Sequence, residues 1–389
     1  MAESVLIAED AQSPPLAARA TAAQWNAAAS SRSIPSLDGL RAVSIGLVIL
    51  GHSLAYLHGE PSSFPFQQLV ELAQSGVDVF FVISGFLITS ILLKEYDSVG
   101  TIHLRRFYFR RFFRIFPPFY VYLGVVGVLW LLGVFPQDPR AFASAGTYTW
   151  NYLRHAPSWL LGHTWSLSLE EQFYLIWPPC LFLLGKKKSA YLALGLIAAS
   201  PAIRLLSYVI TPSLRGSESV MLHTRLDAIM FGCAMALLWK DPRFQRAVAR
   251  CLHPSLFAFA LAYIAILAPC LSVRYAGRYD WTVGYTLRGL LVSIVLLYVV
   301  KKPQSAPGKL LNRPVVIHIG VISYSLYLWQ QMFTGPNAFL IPLNVLAIFA
   351  CAEASHWLVE RPSFWLRDWI MVGFAARRAQ ARAQESLAQ

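Results

Sequence analysis

Residues 37–53 read Leu37-Asp38-Gly39-Leu40-Arg41-Ala42-Val43-Ser44-Ile45-Gly46-Leu47-Val48-Ile49-Leu50-Gly51-His52-Ser53. This is an apolar run of membrane-helix type, with an arginine near its start and a histidine near its far end. Arg41 and His52 stand eleven residues apart. At about 100° per residue that is three turns with about 20° left over, so both side chains share one helix face, about 16 Å apart along the axis. An ionisable group inside a membrane span is costly, so it ordinarily faces a protein interior or a water-filled cavity and marks a function. An arginine snorkelling at the interface and a histidine hydrogen-bonded inside a helix bundle would also account for the pair. The partners met along the chain decide between the two.

The rest of the chain has the same character. Of its 389 residues, 56% are hydrophobic and 14% charged, against about 25% charged in soluble domains. Twelve Trp, 17 Tyr and 24 Phe supply the aromatic residues of membrane interfaces. The composition predicts an all-α fold, a polytopic membrane helix bundle. The net charge of +13 falls in short basic blocks between apolar stretches, which reads as topology determinants and not as a nucleic-acid surface. Cys180, Cys233, Cys251, Cys270 and Cys351 are scattered, mostly in apolar runs. They show neither metal-ligand spacing nor a disulfide framework, and core packing explains them. No metal is expected.

Residues 1–36 are rich in Ala and Ser and lack the basic start and apolar core of a cleaved signal peptide. They read as a disordered N-terminal tail. Ser36 or Asp38 can cap the first span, at 38–57. After a linker at 58–74, Gly76-Val77-Asp78-Val79-Phe80-Phe81-Val82-Ile83-Ser84-Gly85 opens a second span. Asp78 is either its N-cap or a carboxylate facing the same cavity as His52. Lys94, Arg105, Arg106, Arg110, Arg111 and Arg114 then precede Pro117-Pro118, the pattern of an amphipathic helix on the inner face that ends at the prolines. Arg111 and Arg114, at i and i+3, form a fork on one helix face suited to phosphate.

Further spans at 119–135, 165–184, 189–208, 224–240, 255–272, 282–300, 315–334 and 338–358 bring the count to about ten transmembrane helices, with both termini cytoplasmic. With the N-terminus inside, only Arg140, Arg154, Arg204, Arg215, Arg225, Arg274, Arg278 and Arg288 of the 33 Lys and Arg fall on the outer side, an imbalance that sets orientation. Arg41 then lies toward the cytoplasm and His52 in the outer half of the membrane. The transmembrane domain covers 37–365, and 366–389 form a basic C-terminal tail.

Glu170-Glu171 sit at the head of the fourth span, within Trp165-Ser166-Leu167-Ser168-Leu169-Glu170-Glu171-Gln172-Phe173-Tyr174. Neighbours on a helix diverge by about 100°, so one is expected to point into the bundle and the other to stabilise the helix N-terminus. Arg225 and Asp227, at i and i+2, do not share a face, so each is expected to pair with another helix. Ser323-Tyr324-Ser325-Leu326-Tyr327-Leu328-Trp329-Gln330 places hydroxyls in the ninth span, for a polar cavity or for interhelical packing. Val359-Glu360-Arg361-Pro362 reads as a membrane exit with an interfacial ion pair.

Together these motifs, in this order, resemble the acyltransferase 3 family of bacterial integral membrane O-acyltransferases. The resemblance covers about residues 36–365. It implies transfer of an acyl group, most commonly acetyl, from acyl-CoA (acetyl-CoA) to a hydroxyl of a cell-surface or exported carbohydrate: lipopolysaccharide, exopolysaccharide, peptidoglycan or a glycolipid. It also implies a bacterial inner-membrane location, contact with membrane lipids and a carbohydrate or glycolipid acceptor, and polysaccharide-assembly proteins as partners. The sequence departs from the pattern at Gln330, where many relatives carry a histidine, and that position is given no catalytic role. The short tail after the last span is not expected to be the hydrolase-like domain that some relatives carry.

Acyl transfer to an alcohol needs a base near the acceptor hydroxyl and stabilisation of the developing oxyanion. His52 is the expected base, with a carboxylate from Asp78, Glu170 or Glu171 orienting its imidazole. Arg111 and Arg114 are expected on the phosphates of the donor and Arg41 on its pantetheine arm. Glu171, Arg225, Asp227 and Tyr324 are assigned to the acceptor. A transporter or flippase would use the same intramembrane charges for binding or proton coupling, but no internal repeat or pair of broken spans accompanies them. A non-catalytic polysaccharide-assembly subunit would have no need to keep His52, Arg41 and the arginine fork.

Overall fold

The computed structural model describes residues 34–57, 64–153, 158–214, 218–335 and 341–373. The expected tails, as far as residue 33 and from residue 374, lie outside the described residues, as do Arg154 and Arg215. Among the described residues every regular element is helical. α1 is Pro35–Leu57, α2 Phe64–Val99, α3 Leu104–Leu131, α4 Pro139–Gly146 and α5 Trp159–Gly162. α6 is Thr164–Ile210, α7 Leu222–Leu238, α8 Pro242–Cys251, α9 Pro254–Arg274 and α10 Asp280–Lys301. α11 is Ala306–Leu311, α12 Pro314–Val321, α13 Ser323–Phe333 and α14 Pro342–Gly373.

Among the described residues, seven helical runs are long and apolar enough to cross a membrane: those of α1, α2, α3, α5–α6, α9, α10 and α14. The chain is a multi-pass membrane protein. The difference from ten has local causes. The two spans expected at 165–184 and 189–208 share the α5–α6 run, which leaves helical geometry at Gly185 (φ 68°, ψ 176°), just before Lys186-Lys187-Lys188. The span expected at 224–240 is α7, only 17 residues long. The one expected at 315–334 breaks at Ile322 into α12 and α13.

Three boundaries also differ from expectation. α2 begins at Phe64, so most of the expected linker is helix and Asp78 lies mid-helix, where it cannot be an N-cap. Pro117 and Pro118 sit inside α3 and do not end it. In a membrane, helices carry interior prolines because neighbouring groups satisfy the freed carbonyls. Residues 359–362 lie within α14, which runs on to Gly373. There Glu360 is buried and Arg361 stacks on the Trp357 ring, 3.8 Å from its centroid, so the two do not form an interfacial pair.

α7 is the central helix. Ala228, Ile229, Met230, Cys233, Ala234 and Met235 are all buried, as expected of a short helix that is apolar all round. Its closest neighbour is α2. A Cβ on Gly85 would lie 2.0 Å from the Ile229 carbonyl oxygen, and one on Gly232 2.1 Å from that of Val82. The two backbones touch through paired glycines, the small-residue contact by which membrane helices pack. α1 lies against α2 and α12, so both ends of its Arg41–His52 face point into the bundle.

Candidate functional site

At the Arg41 end of α1 a cavity of about 490 Å³ opens between α1, α2, α3, α6, α13 and α14. It gathers Arg41, Arg111, Arg114, Glu170, Glu171 and Tyr324 from four helices. Arg111 and Arg114 share a face of α3 and both line it, so the fork expected from their spacing is present. Arg41 Nη1 pairs with Asp38 Oδ1 one turn back, at 3.1 Å. The Arg111 guanidinium lies 3.7 Å from the centroid of the Tyr174 ring, and its Nε is 3.9 Å from Glu171 Oε1. Glu170 accepts the Ser84 hydroxyl at 3.0 Å on one oxygen and that of Tyr174 at 2.8 Å on the other. Tyr324 donates to the Ile115 carbonyl at 2.9 Å. Glu360, also on the cavity wall, accepts from Ser325 and contacts His356.

Glu170 and Glu360 therefore have hydroxyl donors and Asp38 has Arg41, whereas Glu171 has only the 3.9 Å contact with Arg111 Nε. Arg114 makes no hydrogen bond or ion pair among the described residues, and its side chain is open to the cavity. Both Glu170 and Glu171 line the cavity, where only one was expected to point inward. The helix starts at Thr164, a turn and a half earlier, so neither carboxylate stands at the helix terminus.

His52 lies at the other end of α1 and meets α13 instead of a carboxylate. Its Nδ1 is 3.0 Å from Gln330 Oε1, and its Nε2 is 3.5 Å from Gln331 Nε2. The Trp159 ring stands edge-on to it at 5.8 Å. Trp159 itself is held by a bond from its Nε1 to the Gln331 carbonyl, at 2.9 Å. It packs so closely on Gly335 (φ 73°) that a Cβ there would fall 2.2 Å from the indole. Gln331 Oε1 accepts the backbone N–H of His163 at 3.1 Å and contacts its Nδ1 at 2.6 Å. Tyr327 and Ser166, which both line the cavity and both bond the His163 carbonyl, join this end to it. Tyr327 lines the cavity, bonds Ser166 Oγ, and donates its hydroxyl to the His163 carbonyl at 2.8 Å.

Asp78, Arg225 and Asp227 are elsewhere. Asp78 lies between Arg225 and Arg288, bonded to the first and 3.1 Å from Nε of the second, with all three buried. Arg288 also reaches Asp280 at 2.6 Å, and Arg225 lies 3.8 Å from the centroid of the Tyr285 ring. Asp227 accepts from Arg204 Nη1 at 2.8 Å and from Thr286 at 2.6 Å. Arg225 and Asp227 thus do pair with different helices. Arg204, Arg225 and Arg288, counted above as outer-side charges, are interior ion-pair partners. Asp78 orients no imidazole, because two arginines occupy its two oxygens.

Of the residues around His52, Gln330 was given no role, and Gln331 and His163 were not singled out. The available signal was His163 at the head of the Trp165 motif, a polar residue opening an apolar run.

A profile of the acyltransferase 3 family, described as an acyltransferase domain, matches residues 34–373. A Staphylococcus aureus (strain COL) protein provisionally named an O-acetyltransferase is 31% identical over 365 residues, covering 85% of this chain and 57% of its own. The peptidoglycan O-acetyltransferase OatA of Listeria monocytogenes is 29% identical over 365 residues, covering 85% of this chain and 55% of its own. The chain thus spans a little over half the length of these curated relatives. No solved structure matches it.

Proposed function

The chain belongs to the acyltransferase 3 family, and on that footing we propose that it moves an acyl group, acetyl first among them, from acyl-CoA to a carbohydrate hydroxyl at the far side of a bacterial inner membrane. The observation that carries this reading is the division of α1. An arginine-lined cavity lies at one end, and a histidine held by α13 lies at the other.

Arg114, with no anion of its own, is the group for a donor phosphate, and Arg41 and Arg111 flank it. Between the diphosphate and the sulfur of a CoA thioester run about thirteen skeletal bonds, an extended reach of roughly 15 Å by backbone dimensions. That matches the spacing of about 16 Å from Arg41 to His52 along α1. A donor seated on the arginines would therefore bring its thioester to the histidine. His52 takes the proton of the acceptor hydroxyl, whose oxygen attacks the thioester carbonyl. Collapse of the tetrahedral intermediate breaks the carbon–sulfur bond, and the thiolate leaves to be protonated.

The names of the relatives favour a cell-wall glycan as acceptor, alongside the lipopolysaccharide, exopolysaccharide or glycolipid implied by the sequence. Membrane lipids and polysaccharide-assembly proteins are the expected surroundings. The test uses purified protein in nanodiscs with radiolabelled acetyl-CoA, comparing wild type, His52→Ala and Arg111→Ala/Arg114→Ala. Support is turnover lost with His52 and weakened donor binding in the arginine variant. Wild type that neither binds nor consumes any of several acyl-CoA donors would overturn the proposal.

A further inference from the structure

We propose that Gln330 and Gln331 are positioning residues that lock His52 in a single tautomer, with the proton on Nδ1 and the lone pair on Nε2. The inference starts from Gln331. Its Oε1 lies 3.1 Å from the backbone N–H of His163, a group that can only donate. That oxygen must be the carbonyl, so the amide nitrogen is the atom turned toward His52, 3.5 Å from Nε2. An NH2 group can only donate, so Nε2 is the accepting, unprotonated nitrogen. The other ring nitrogen follows from the first. With Nε2 unprotonated, the neutral ring carries its proton on Nδ1, which lies 3.0 Å from Gln330 Oε1 and donates to it. Gln330 is fully buried, so no water competes for that oxygen.

The consequence is chemical. A histidine acting as base needs its lone pair on the nitrogen that meets the acceptor hydroxyl, and the bond at the other nitrogen selects that tautomer. A carboxylate is the usual selector, and here a neutral amide does the same work without placing another charge in the membrane. The long contact from Gln331 is weak, so an incoming hydroxyl can displace it and donate to Nε2 in its place. The base function of His52 belongs to the proposed function above, whereas the tautomer itself does not depend on it.

The experiment is 15N NMR of histidine-labelled protein in nanodiscs, with His52 assigned by its loss in His52→Asn. Wild type is expected to show the Nδ1–H tautomer. Gln330→Met, which keeps the volume and removes the acceptor, is expected to shift His52 toward Nε2–H. Gln330→Glu, which keeps an acceptor oxygen, restores Nδ1–H. With acetyl-CoA as donor, Gln330→Met is expected to lower kcat by about 10–100-fold with the donor KM unchanged, the range for loss of a partner that orients an imidazole. A wild-type spectrum dominated by Nε2–H, or one unchanged in Gln330→Met, overturns the inference even where the variant folds poorly. If His52→Ala keeps full turnover while the spectrum behaves as expected, the base assignment fails and the tautomer lock stands.

Discussion

Asp78→Asn separates a structural carboxylate from a catalytic one. Asp78 presents two oxygens to two arginines, Arg225 and Arg288, in a site where all three side chains are buried. Asparagine has the same shape but offers one oxygen and one NH2, so one guanidinium faces another donor and neither has a counter-charge from this residue. Arg288 still reaches Asp280 at 2.6 Å, whereas Arg225 keeps, among the described residues, the Tyr285 ring at 3.8 Å. Removing one partner of a buried pair costs about 3–5 kcal/mol, a large fraction of the roughly 5–15 kcal/mol that holds a domain folded.

Asp280→Asn is expected to cost less, because Arg288 retains Asp78. Asp78→Asn/Arg225→Met removes both partners of the pair together and is expected to recover about 1–3 kcal/mol of the single-variant loss. The readout is unfolding in detergent, followed by a thiol-reactive dye on a variant with Cys233 as sole cysteine. That thiol is fully buried on α7 and reacts only when the α2–α7 contact opens. The reasoning is refuted if Asp78→Asn unfolds like wild type yet loses turnover, the signature of a carboxylate serving His52. A double variant as unstable as the sum of the singles would refute it too.

Other perturbations follow from the same geometry. Arg114→Ala should raise the donor KM about 10–100-fold, the loss of one charge-assisted contact worth about 1.5–3 kcal/mol, with kcat at saturating donor retained and Arg114→Lys in between. Gly85→Val places a Cβ 2.0 Å from the Ile229 carbonyl; the expected cost is at or above about 3 kcal/mol, the top of the usual overpacking range, seen as loss of monodisperse protein on size exclusion. Asp241 caps α8 by accepting the N–H groups of Phe244 and Arg243, and these bonds hold its carboxyl below its ordinary value of 3.8. Its contribution is therefore present above that value and lost as pH falls through the lower folded one, so amide protection at 243 and 244 should fade in acid for wild type, while Asp241→Asn shows no such dependence.

The apolar runs and their charges were legible in the sequence, because a membrane helix must satisfy its own backbone and so announces itself by composition alone. The shared face of Arg41 and His52 and the Arg111–Arg114 fork were legible for a related reason, since helical periodicity fixes which neighbours coincide. Partnerships between helices were not. Asp78 meets Arg225 and Arg288 across separations of 147 and 210 residues, and Gln330 meets His52 across 278. No local pattern encodes such distances. Gln330 was passed over because a neutral amide inside a span looks like packing, and its meaning lies in which nitrogen of a distant imidazole it touches. The break at Ile322 was also hidden, since 315–334 has the length of one span and carries no internal glycine or proline other than Gly320.

That glycine shows why the break is needed. A Cβ on Gly320 would fall 1.9 Å from the Asp38 carbonyl, so α12 presses directly on the first turns of α1. α13, starting afresh at Ser323, then takes a course of its own to reach His52 at the other end of α1 with Gln330. The two halves of one expected span thereby grip the two ends of α1. The arginines of the bundle differ in their partners. Arg204, Arg225 and Arg288 each have a carboxylate partner, so each takes part in a buried ion pair that the fold depends on. Arg114 has no ion pair among the described residues, and its side chain is open to the cavity, near the like charges of Arg41 and Arg111 and the carboxylates of Glu360 and Asp38. That open guanidinium is the group to which the proposed function assigns a donor phosphate, and the donor KM of Arg114→Ala tests the assignment.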